Sequence, residues 1–500
     1  MASQGRGAQG QGPTLDRGRP FAPRDAGPSA VYLSNDDTMS LSSAQRVIYA
    51  IEHFAPLPRE HIRPHELLNY FSFKTSAVQS GHDFSVTANI DAHPEQPGTY
   101  TLGLAVQGRP LLKASRRNAN LSFVIDRSGS MNSEGRMQYV KRGLLRAVDE
   151  LKHGDIVHLA LFDSTVCQLA QNFVVGRDQL GELRNLINRV TPRGSTNLHD
   201  GLLQGYETAS VAYQPEYTNR VVIISDALTN TGTTDPRLIA MVSQNYDRRR
   251  IRLSAVGVGR DFNDALLDEL SEKGHGAYVF LGSEAEVDAV FGQRFVSLIE
   301  TIADDVHFRL HLPPSLSMKT FYGEEASVDK ERVEAIHYFA GTGQMFLSDL
   351  EVTAGSQPQA DDIMLTIEYS DPETGQARVE ESSWSVARLF GRSKNLDKAR
   401  LLQHFAQGLG SMAQRPLPPR YDSTPASWYD EPAAFDCRTV STELSQMARA
   451  VSSDPEVGRV LGLWDTYCSR FHAGSSDVAA AHNQRNNDFA PPDRWPGASL

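Results

Sequence analysis

Three short polar segments in the middle of the chain carry the residues best suited to bind a metal ion. Asp126, Ser128 and Ser130 form a DxSxS motif directly after an apolar run. Thr196 precedes a helical stretch, and Asp226 closes another apolar run. Each segment alone is more typical of a turn or a helix cap than of a metal site. In an open α/β sheet, however, the carboxyl ends of the strands meet at one edge, so all three together predict a single divalent-metal site.

The donor atoms of this predicted site define the ion and its role. Hard oxygen donors without Cys or His favour Mg²⁺, with Mn²⁺ or Ca²⁺ as alternatives, over zinc or copper. Ser128, Ser130 and Thr196 are neutral, so an octahedral Mg²⁺ would keep waters and a position for an incoming carboxylate. The formal net charge of the chain is −12. The ion would therefore be a local positive centre that holds an acidic partner.

The elements that must position these residues alternate between strand and helix over residues 119–300. Near-continuous apolar runs, typical of strands buried on both faces, lie at 121–125, 156–162, 220–225 and 251–259. Helical stretches separate them at 137–152, 178–189 and 198–210. This alternation predicts a doubly wound, mostly parallel sheet of the α/β class.

The flanking segments follow a different pattern. Apolar residues alternate with a period of two on both sides of the α/β block, which predicts an antiparallel β-sandwich into which that block is inserted. Helical patterns occur at 40–73, 393–412 and 440–471. We therefore predict six segments: 1–30 disordered, 31–118 N-terminal helices and sandwich strands, 119–303 the α/β domain, 304–390 the second part of the sandwich, 391–472 a C-terminal helical segment, and 473–500 a disordered tail.

The triplet DRSGSM, GSTNL and SDALTN resembles the metal-ion-dependent adhesion site of von Willebrand factor A domains, over about 119–300. The resemblance implies that Ser128, Ser130 and Thr196 contact the metal, and that Asp126 and Asp226 bind it directly or through water. Arg127 stands where the family usually has an apolar or small residue, and Ala227 stands where Gly is common. Neither departure removes a metal ligand, although Arg127 alters the preference of the site for its binding partner.

A wider resemblance covers residues 30–370. HELLNYFSF, DFSVTANI and FNDALLDELSEKGHGAYVFLGSEAEVDAVF are similar to segments of bacterial von Willebrand factor A lipoproteins with a conserved N-terminal extension. That resemblance implies the cell envelope or secretion, whereas the chain as written lacks a lipoprotein leader and is expected to be soluble. The sequence therefore leaves the location open.

Composition excludes several other classes of protein. A net charge of −12 argues against binding along a nucleic-acid backbone, and no apolar run reaches the roughly 18 residues of a membrane helix. The three cysteines, Cys167, Cys437 and Cys468, form no CxxC pair, which excludes zinc ribbons. Cys437 and Cys468 form either a disulfide or two free buried thiols, and the pattern favours free thiols.

Other polar residues near the predicted site have ordinary explanations. His199 and His275 favour loop or helix roles, because oxygen ligands already suffice. Asp163 and Ser164 either line the same rim or form a turn. The run at 247–250 favours a solvated helix end, and Cys167 lacks a local partner for nucleophilic chemistry.

Three functions compete. The first is a protein-binding module, not an enzyme, that captures a partner's Asp or Glu at Mg²⁺ and passes a shift of the helix around 284–303 to the sandwich. The second is a Mg²⁺-dependent hydrolase or phosphatase with Asp126 as nucleophile, but such enzymes carry a second Asp where this chain has Ser128. The third is a partner subunit of an AAA+ ATPase, since the chain itself has no GxxxxGK(S/T) loop.

Overall fold

The computed structural model describes residues 19–20, 29–259, 262–413 and 436–472. Two segments that were predicted to be disordered, 473–500 and most of 1–30, lie outside the described residues. The Pro-rich stretch between the C-terminal helices also lies outside them. Positions 19–20 and 29–30, predicted to be disordered, belong to strands. The second of these strands is ordered because Val31 and Leu33 are buried in a hydrophobic core.

Seventeen strands occur in the described ranges. In chain order they are β1 (Arg19–Pro20), β2 (Ser29–Ser34), β3 (Phe84–Ala92), β4 (Thr99–Gly108), β5 (Ala119–Asp126), β6 (Ile156–Phe162), β7 (Val166–Val174), β8 (Thr218–Ser225), β9 (Arg252–Val258), β10 (Tyr278–Leu281), β11 (Thr301–Leu312), β12 (Leu316–Phe321), β13 (Glu325–Ser327), β14 (Ile336–Phe339), β15 (Gly343–Val352), β16 (Asp362–Ser370) and β17 (Ala377–Ser385).

Thirteen α-helices lie in the same described ranges. They are α1 (Ser42–Glu52), α2 (Pro64–Tyr70), α3 (Arg136–Glu150), α4 (Leu180–Asn188), α5 (Leu198–Val211), α6 (Pro236–Asp247), α7 (Asp264–Lys273), α8 (Glu284–Asp288), α9 (Phe295–Ile299), α10 (Val386–Leu389), α11 (Lys394–Met412), α12 (Cys437–Ala448) and α13 (Pro455–His472). Among the residues described, none of these helices combines the length and apolar character needed to cross a membrane.

The central sheet has the order β10-β9-β8-β5-β6-β7, and every neighbouring pair is parallel except β6 with β7. Alternate residues of β5 face opposite layers: Phe123 and Ile125 pack in one core with α3, and Val124 packs in another with α5. The predicted α/β class and mostly parallel sheet are therefore confirmed. The sequence did not reveal β7, because this edge strand is only partly buried and polar residues interrupt its apolar run.

Two antiparallel sheets form the β-sandwich. One has the order β1-β12-β15-β4-β3, and the other has the order β13-β2-β11-β16-β17 with β14 paired to β11. Phe308 and Phe346 lie on the two inner faces with ring centroids 4.6 Å apart. The strands of each sheet come from both sides of the α/β block, as the alternating patterns predicted.

The parallel sheet contacts the sandwich through the amino ends of its strands. Arg220 at the start of β8 donates from Nε to the carbonyl of Ile299, 2.9 Å away. Arg117, just before β5, pairs with Glu300 at 2.8 Å, and the hydroxyl of Thr218 donates to the same carboxylate. The carboxyl ends of the parallel strands, where the polar segments lie, are therefore at the opposite edge from this contact.

The helical stretch predicted at 284–303 ends earlier than expected. It consists of α8, a π-helical turn at 289–293 and α9, and it stops at Ile299. Glu300 has extended backbone angles, and Thr301 already pairs with Phe339 in β14. The tertiary pairing of β11 thus replaces the last helical turn.

Charged side chains also join the two parts at this contact. Arg252 of β9 makes two hydrogen bonds of 2.6 Å to Asp304 of β11. His337 of β14 lies 3.4 Å from the same carboxylate, and its backbone amide donates to Asp37. The ring of His275, from the loop before β10, packs on the His337 ring at 4.3 Å between centroids. This cluster gives the contact a pH-sensitive component.

The stability of the contact is expected to decrease as the pH rises. Burial alone would lower the pKa of His337, but the charge of Asp37 and the contacts with Asp304 outweigh it, so that the pKa is raised. In the unfolded chain the imidazole has a pKa of about 6.5, and below this pH the protonated imidazole contributes its full stabilisation of the folded state. As the pH rises through the higher pKa of the folded state, the imidazole loses its proton and this stabilisation is lost. Between pH 6 and pH 9, the difference in melting temperature between the native protein and a His337→Gln variant should shrink. A constant difference would contradict this assignment.

The C-terminal helices pack beside the N-terminal helices on the outer face of the sheet that contains β4. A Cβ atom on Gly103 of β4 would lie 2.7 Å from a methyl group of Leu396, so this glycine permits the close approach of α11. The segment predicted helical at 440–471 is divided before Pro455, which begins α13. Cys437 of α12 and Cys468 of α13 are joined by a disulfide, so the preference for free thiols was wrong.

This disulfide predicts a simple thiol count. The full chain has three cysteines, and Cys167 is free and exposed. One cysteine should react with an alkylating reagent when the protein is unfolded without reductant, and three should react after reduction. Mass spectrometry of the intact chain measures both numbers. Three reactive cysteines before reduction would contradict the pairing.

Candidate metal centre

The first polar segment is held by the carboxylate of Asp126 at the end of β5. Its Oδ1 accepts the backbone amide of Ser128 at 2.8 Å, and its Oδ2 accepts the hydroxyl of Ser225 at 2.5 Å. The hydroxyl oxygens of Ser128 and Ser130 lie 2.9 Å apart. The DxSxS motif therefore folds so that both serine hydroxyls and the buried Asp126 carboxylate share one turn.

The second segment contacts the first through backbone. The amide of Gly129 donates to the carbonyl of Gly194 at 3.0 Å. Gly194 has a φ of +73°, a conformation that favours glycine. Two residues later, the amide of Thr196 donates to Oδ1 of Asn230 at 2.9 Å, which ties this segment to the loop after β8. Thr196 is thus buried beside both other segments.

The third segment begins at Asp226, directly after β8. Its side chain is fully buried, and its Oδ1 accepts the amide of Leu228 at 3.2 Å. Ala227 has a φ of +52°, which lies in the left-handed region that favours glycine. This left-handed conformation explains why Gly is common at this position of the family. In this chain Ala adopts the same conformation.

These contacts bring all five predicted residues to the carboxyl edge of the sheet. β5 and β8 are neighbours, with Ile125 paired to Ile224, so Asp126 and Asp226 end adjacent strands. Burial, and then the charge of Asp226, raise the pKa of Asp126 to about 6. Two buried carboxylates so close together require positive charge nearby.

Arg136 at the start of α3 supplies one positive charge, and the sequence did not indicate it. Its Nη1 lies 2.7 Å from Oδ2 of Asp226, and its Nη2 lies 3.2 Å from Glu134. The side chain is 5% exposed. A Cβ atom on Gly259 would lie 2.1 Å from Nε of Arg136, so this glycine, with a φ of +89°, makes room for the guanidinium. An arginine in the first turn of a helix is usually exposed, so its residue type alone did not indicate a contact with the metal site.

A second set of charged residues forms the rim of the site. Asp163, after β6, lies 2.9 Å from Arg127 and 3.0 Å from Arg193. The hydroxyl of Ser164 accepts the amide of Ser195 at 3.1 Å. Asp163 and Ser164 therefore do both things that the sequence left open: they form a turn and they line the rim. Arg127 is buried by this pairing, whereas the Arg193 side chain is 65% exposed.

The two histidines have ordinary roles, as expected. His199 lies 3.1 Å from the neighbouring Asp200 on the first turn of α5. His275 lies 3.1 Å from Asp247 and belongs to the contact with the sandwich. The run at 247–250 follows the end of α6, as predicted.

The donor set fits a hard divalent cation. Carboxylate and hydroxyl oxygens converge at one edge, and among the described residues Arg136 is the one close counter-charge of the two buried carboxylates. Both oxygens of Asp226 already have partners, which favours an interaction of Asp226 with an ion through water. Ligation of a metal by these five residues stays a prediction.

Comparison with known proteins agrees with this arrangement. Residues 119–280 match the family model for the von Willebrand factor type A domain. This chain contains a von Willebrand factor type A domain. The matched residues begin with β5 and end in β10, so they contain nearly all of the parallel part of the central sheet and all three polar segments.

Two relatives show how far the similarity extends beyond this domain. Protein YfbK of Escherichia coli (strain K12) is 26% identical over 303 residues, which are 58% of this chain and 51% of the relative. Inter-alpha-trypsin inhibitor heavy chain H3 of Rattus norvegicus is 27% identical over 283 residues, 54% of this chain and 29% of the relative. The chain thus spans about half the length of the first relative and less than a third of the second.

Among solved structures, the chain is similar to a von Willebrand factor type A protein from Catenulispora acidiphila. The TM-score is 0.43 at 16% identity, covering 67% of this chain and 84% of the other. The narrower resemblance to bacterial lipoproteins with a conserved N-terminal extension stays a prediction.

Proposed function

We propose that this protein is a metal-dependent binding module that captures an acidic side chain of a protein partner. The observation that carries the proposal is the pair of buried carboxylates, Asp126 and Asp226, at adjacent strand ends beside the hydroxyls of Ser128 and Ser130. Two carboxylates and neutral hydroxyls suit Mg²⁺, with Mn²⁺ or Ca²⁺ as alternatives. When bound, the ion would supply a Lewis-acidic position that a carboxylate can occupy.

The protein's own residues support this role in two ways. The polar edge lies opposite the contact with the sandwich, and Gly129 is exposed and Ser130 half-buried there, so a partner can approach the edge at this turn. Arg193 is exposed at the rim and anchored to Asp163, so it places positive charge where an Asp or Glu of a partner would arrive. Capture of an acidic group is therefore compatible with a protein whose net charge is −12.

A catalytic role has less support. A phosphatase that used Asp126 as nucleophile would need an acid or base two residues later, and that position is Ser128. Both oxygens of Asp126 accept hydrogen bonds from Ser128 and Ser225, which hold the carboxylate in place. We therefore propose a protein without enzymatic activity of its own.

Capture of native partners tests the proposal. The full chain is immobilised and exposed to an extract of its source with Mg²⁺ or with EDTA, beside a Ser128→Ala variant. We expect a protein that binds in Mg²⁺, is released by EDTA and is not bound by the variant. An AAA+ ATPase among the proteins retained in EDTA would instead favour the assembly-subunit role. Equal retention of every partner in EDTA and by the variant would contradict metal-dependent capture.

The Cys437–Cys468 disulfide supports a place outside the reducing cytosol. Disulfides persist in oxidising compartments such as the periplasm or the extracellular space. We propose such a location for this protein, and thiol trapping of the chain in intact cells of its source would test it. A fully reduced pair would contradict the location.

A further inference from the structure

We infer that Asp36, His65 and Glu324 form a second divalent-cation site, of the class that binds Zn²⁺, which fastens the N-terminal helices to the β-sandwich. One ligand atom of each residue lies within 4.8 Å of the ligand atoms of the other two. The three residues come from the turn after β2, from α2 and from the turn between β12 and β13. The site therefore joins three segments that are far apart in sequence.

The histidine provides a sign that is independent of the acidic residues. Nε2 of His65 is buried and has no hydrogen-bond partner among the residues that the structure describes. A buried ring nitrogen without a partner is unfavourable, because it has lost its bonds to water.

The surrounding charges also favour a cation. Arg63 pairs closely with Glu66 at 2.9 Å and with Asp268 at 3.2 Å, whereas its distance to Asp36 is 4.0 Å. Thus three carboxylates surround one arginine before Glu324 is counted. A divalent ion at Asp36 and Glu324 would balance the excess negative charge of this group.

The backbone holds the two carboxylates near each other. The amide of Glu324 donates to the carbonyl of Ser34 at 3.0 Å. A Cβ atom on Gly323 would lie 2.1 Å from Oδ1 of Asn35, so the glycine allows the turn to approach Asn35 and Asp36 closely. Glu324 itself is exposed, which leaves its carboxylate free to adjust and gives an ion a path from solvent.

The donor set distinguishes this site from the one at Asp126. Ligand atoms on one Zn²⁺ lie about 2.0–2.2 Å from the ion, so the three donors must move together slightly on binding. One imidazole nitrogen with two carboxylate oxygens selects a borderline ion such as Zn²⁺ or Co²⁺ rather than Mg²⁺. The proposal is therefore independent of the proposed adhesion site.

Titration of the metal-free full chain tests the inference. A Ser128→Ala background weakens the other site, and Zn²⁺ and Co²⁺ are the probes. In this background we expect one Co²⁺ with the visible absorption of nitrogen and oxygen ligands, displaced by Zn²⁺, and a Zn²⁺-dependent rise in melting temperature. Adding His65→Ala or Glu324→Gln should weaken Zn²⁺ binding by at least about tenfold, since even residues behind the ligands contribute that much.

Controls keep the outcome decisive. His82→Ala removes a histidine that is 56% exposed and lies 3.2 Å from Glu380, and it should leave Zn²⁺ affinity unchanged. Glu324→Gln alters an exposed side chain, so folding is preserved even if His65→Ala disturbs α2. Equal Zn²⁺ affinity with and without His65 and Glu324 would overturn the inference. Loss of all Zn²⁺ binding in the Ser128→Ala background alone would overturn it as well, because the ion would then belong to the other site.

Discussion

Alanine at Ser128 is expected to weaken Mn²⁺ binding at the carboxyl edge of the parallel sheet by at least about tenfold, because even residues behind metal ligands contribute that much to affinity. The hydroxyl of Ser128 lies 2.9 Å from that of Ser130, and both share the turn that Asp126 holds. The substitution removes one oxygen ligand of the predicted metal site and adds neither charge nor volume. Isothermal titration of the metal-free protein with Mn²⁺ measures the loss.

The matched control for this experiment is Ser133→Ala. Ser133 is an exposed serine in the same loop, just after the short helical turn at 129–132. Its replacement should leave Mn²⁺ affinity within twofold of the native value, roughly 0.4 kcal/mol. Equal affinities for the Ser128→Ala and native proteins would place the Mn²⁺ elsewhere and would remove the basis of the proposed adhesion site.

Replacing Arg136 by Met is expected to destabilise the metal-free domain by about 3–5 kcal/mol, the cost of removing one partner from a buried ion pair. Arg136 lies 2.7 Å from Asp226, whose side chain is fully buried. Without the guanidinium, Asp126 and Asp226 lose the close counter-charge that the described part of the chain provides. Urea unfolding in EDTA, monitored by a signal from the von Willebrand factor A domain, measures the difference in the free energy of unfolding.

A bound cation should partly replace the missing arginine. Saturating Mg²⁺ is therefore expected to stabilise the Arg136→Met protein more than the native protein, since the ion would neutralise the same carboxylates. Arg146→Met on the same helix is the control, because its side chain is 45% exposed and surface pairs contribute at most about 1 kcal/mol. Equal stabilisation of the Arg136→Met and native proteins by Mg²⁺ would show that the ion does not contact this pair.

Much of the fold could be predicted because it depends on local patterns. The apolar runs that became β5, β6, β8 and β9 are buried on both faces, so their composition is unmistakable. β7 was not predicted, because this edge strand is only partly buried and its apolar run is interrupted by polar residues. The end of the helical stretch at Ile299 was also not predicted, because it depends on the pairing of β11 with strands that are distant in sequence.

The five residues of the candidate metal site could be predicted from the sequence, since carboxylates and hydroxyls that follow buried parallel strands meet at one edge of the sheet. Only the tertiary structure revealed what balances and surrounds them. Arg136 is paired with Asp226 because Gly259 leaves space for it, and neither fact follows from residue type. The Cys437–Cys468 disulfide and the meeting of Asp36, His65 and Glu324 likewise depend on packing between distant segments. Such contacts arise from the way layers pack together, and no pattern within a single segment encodes them.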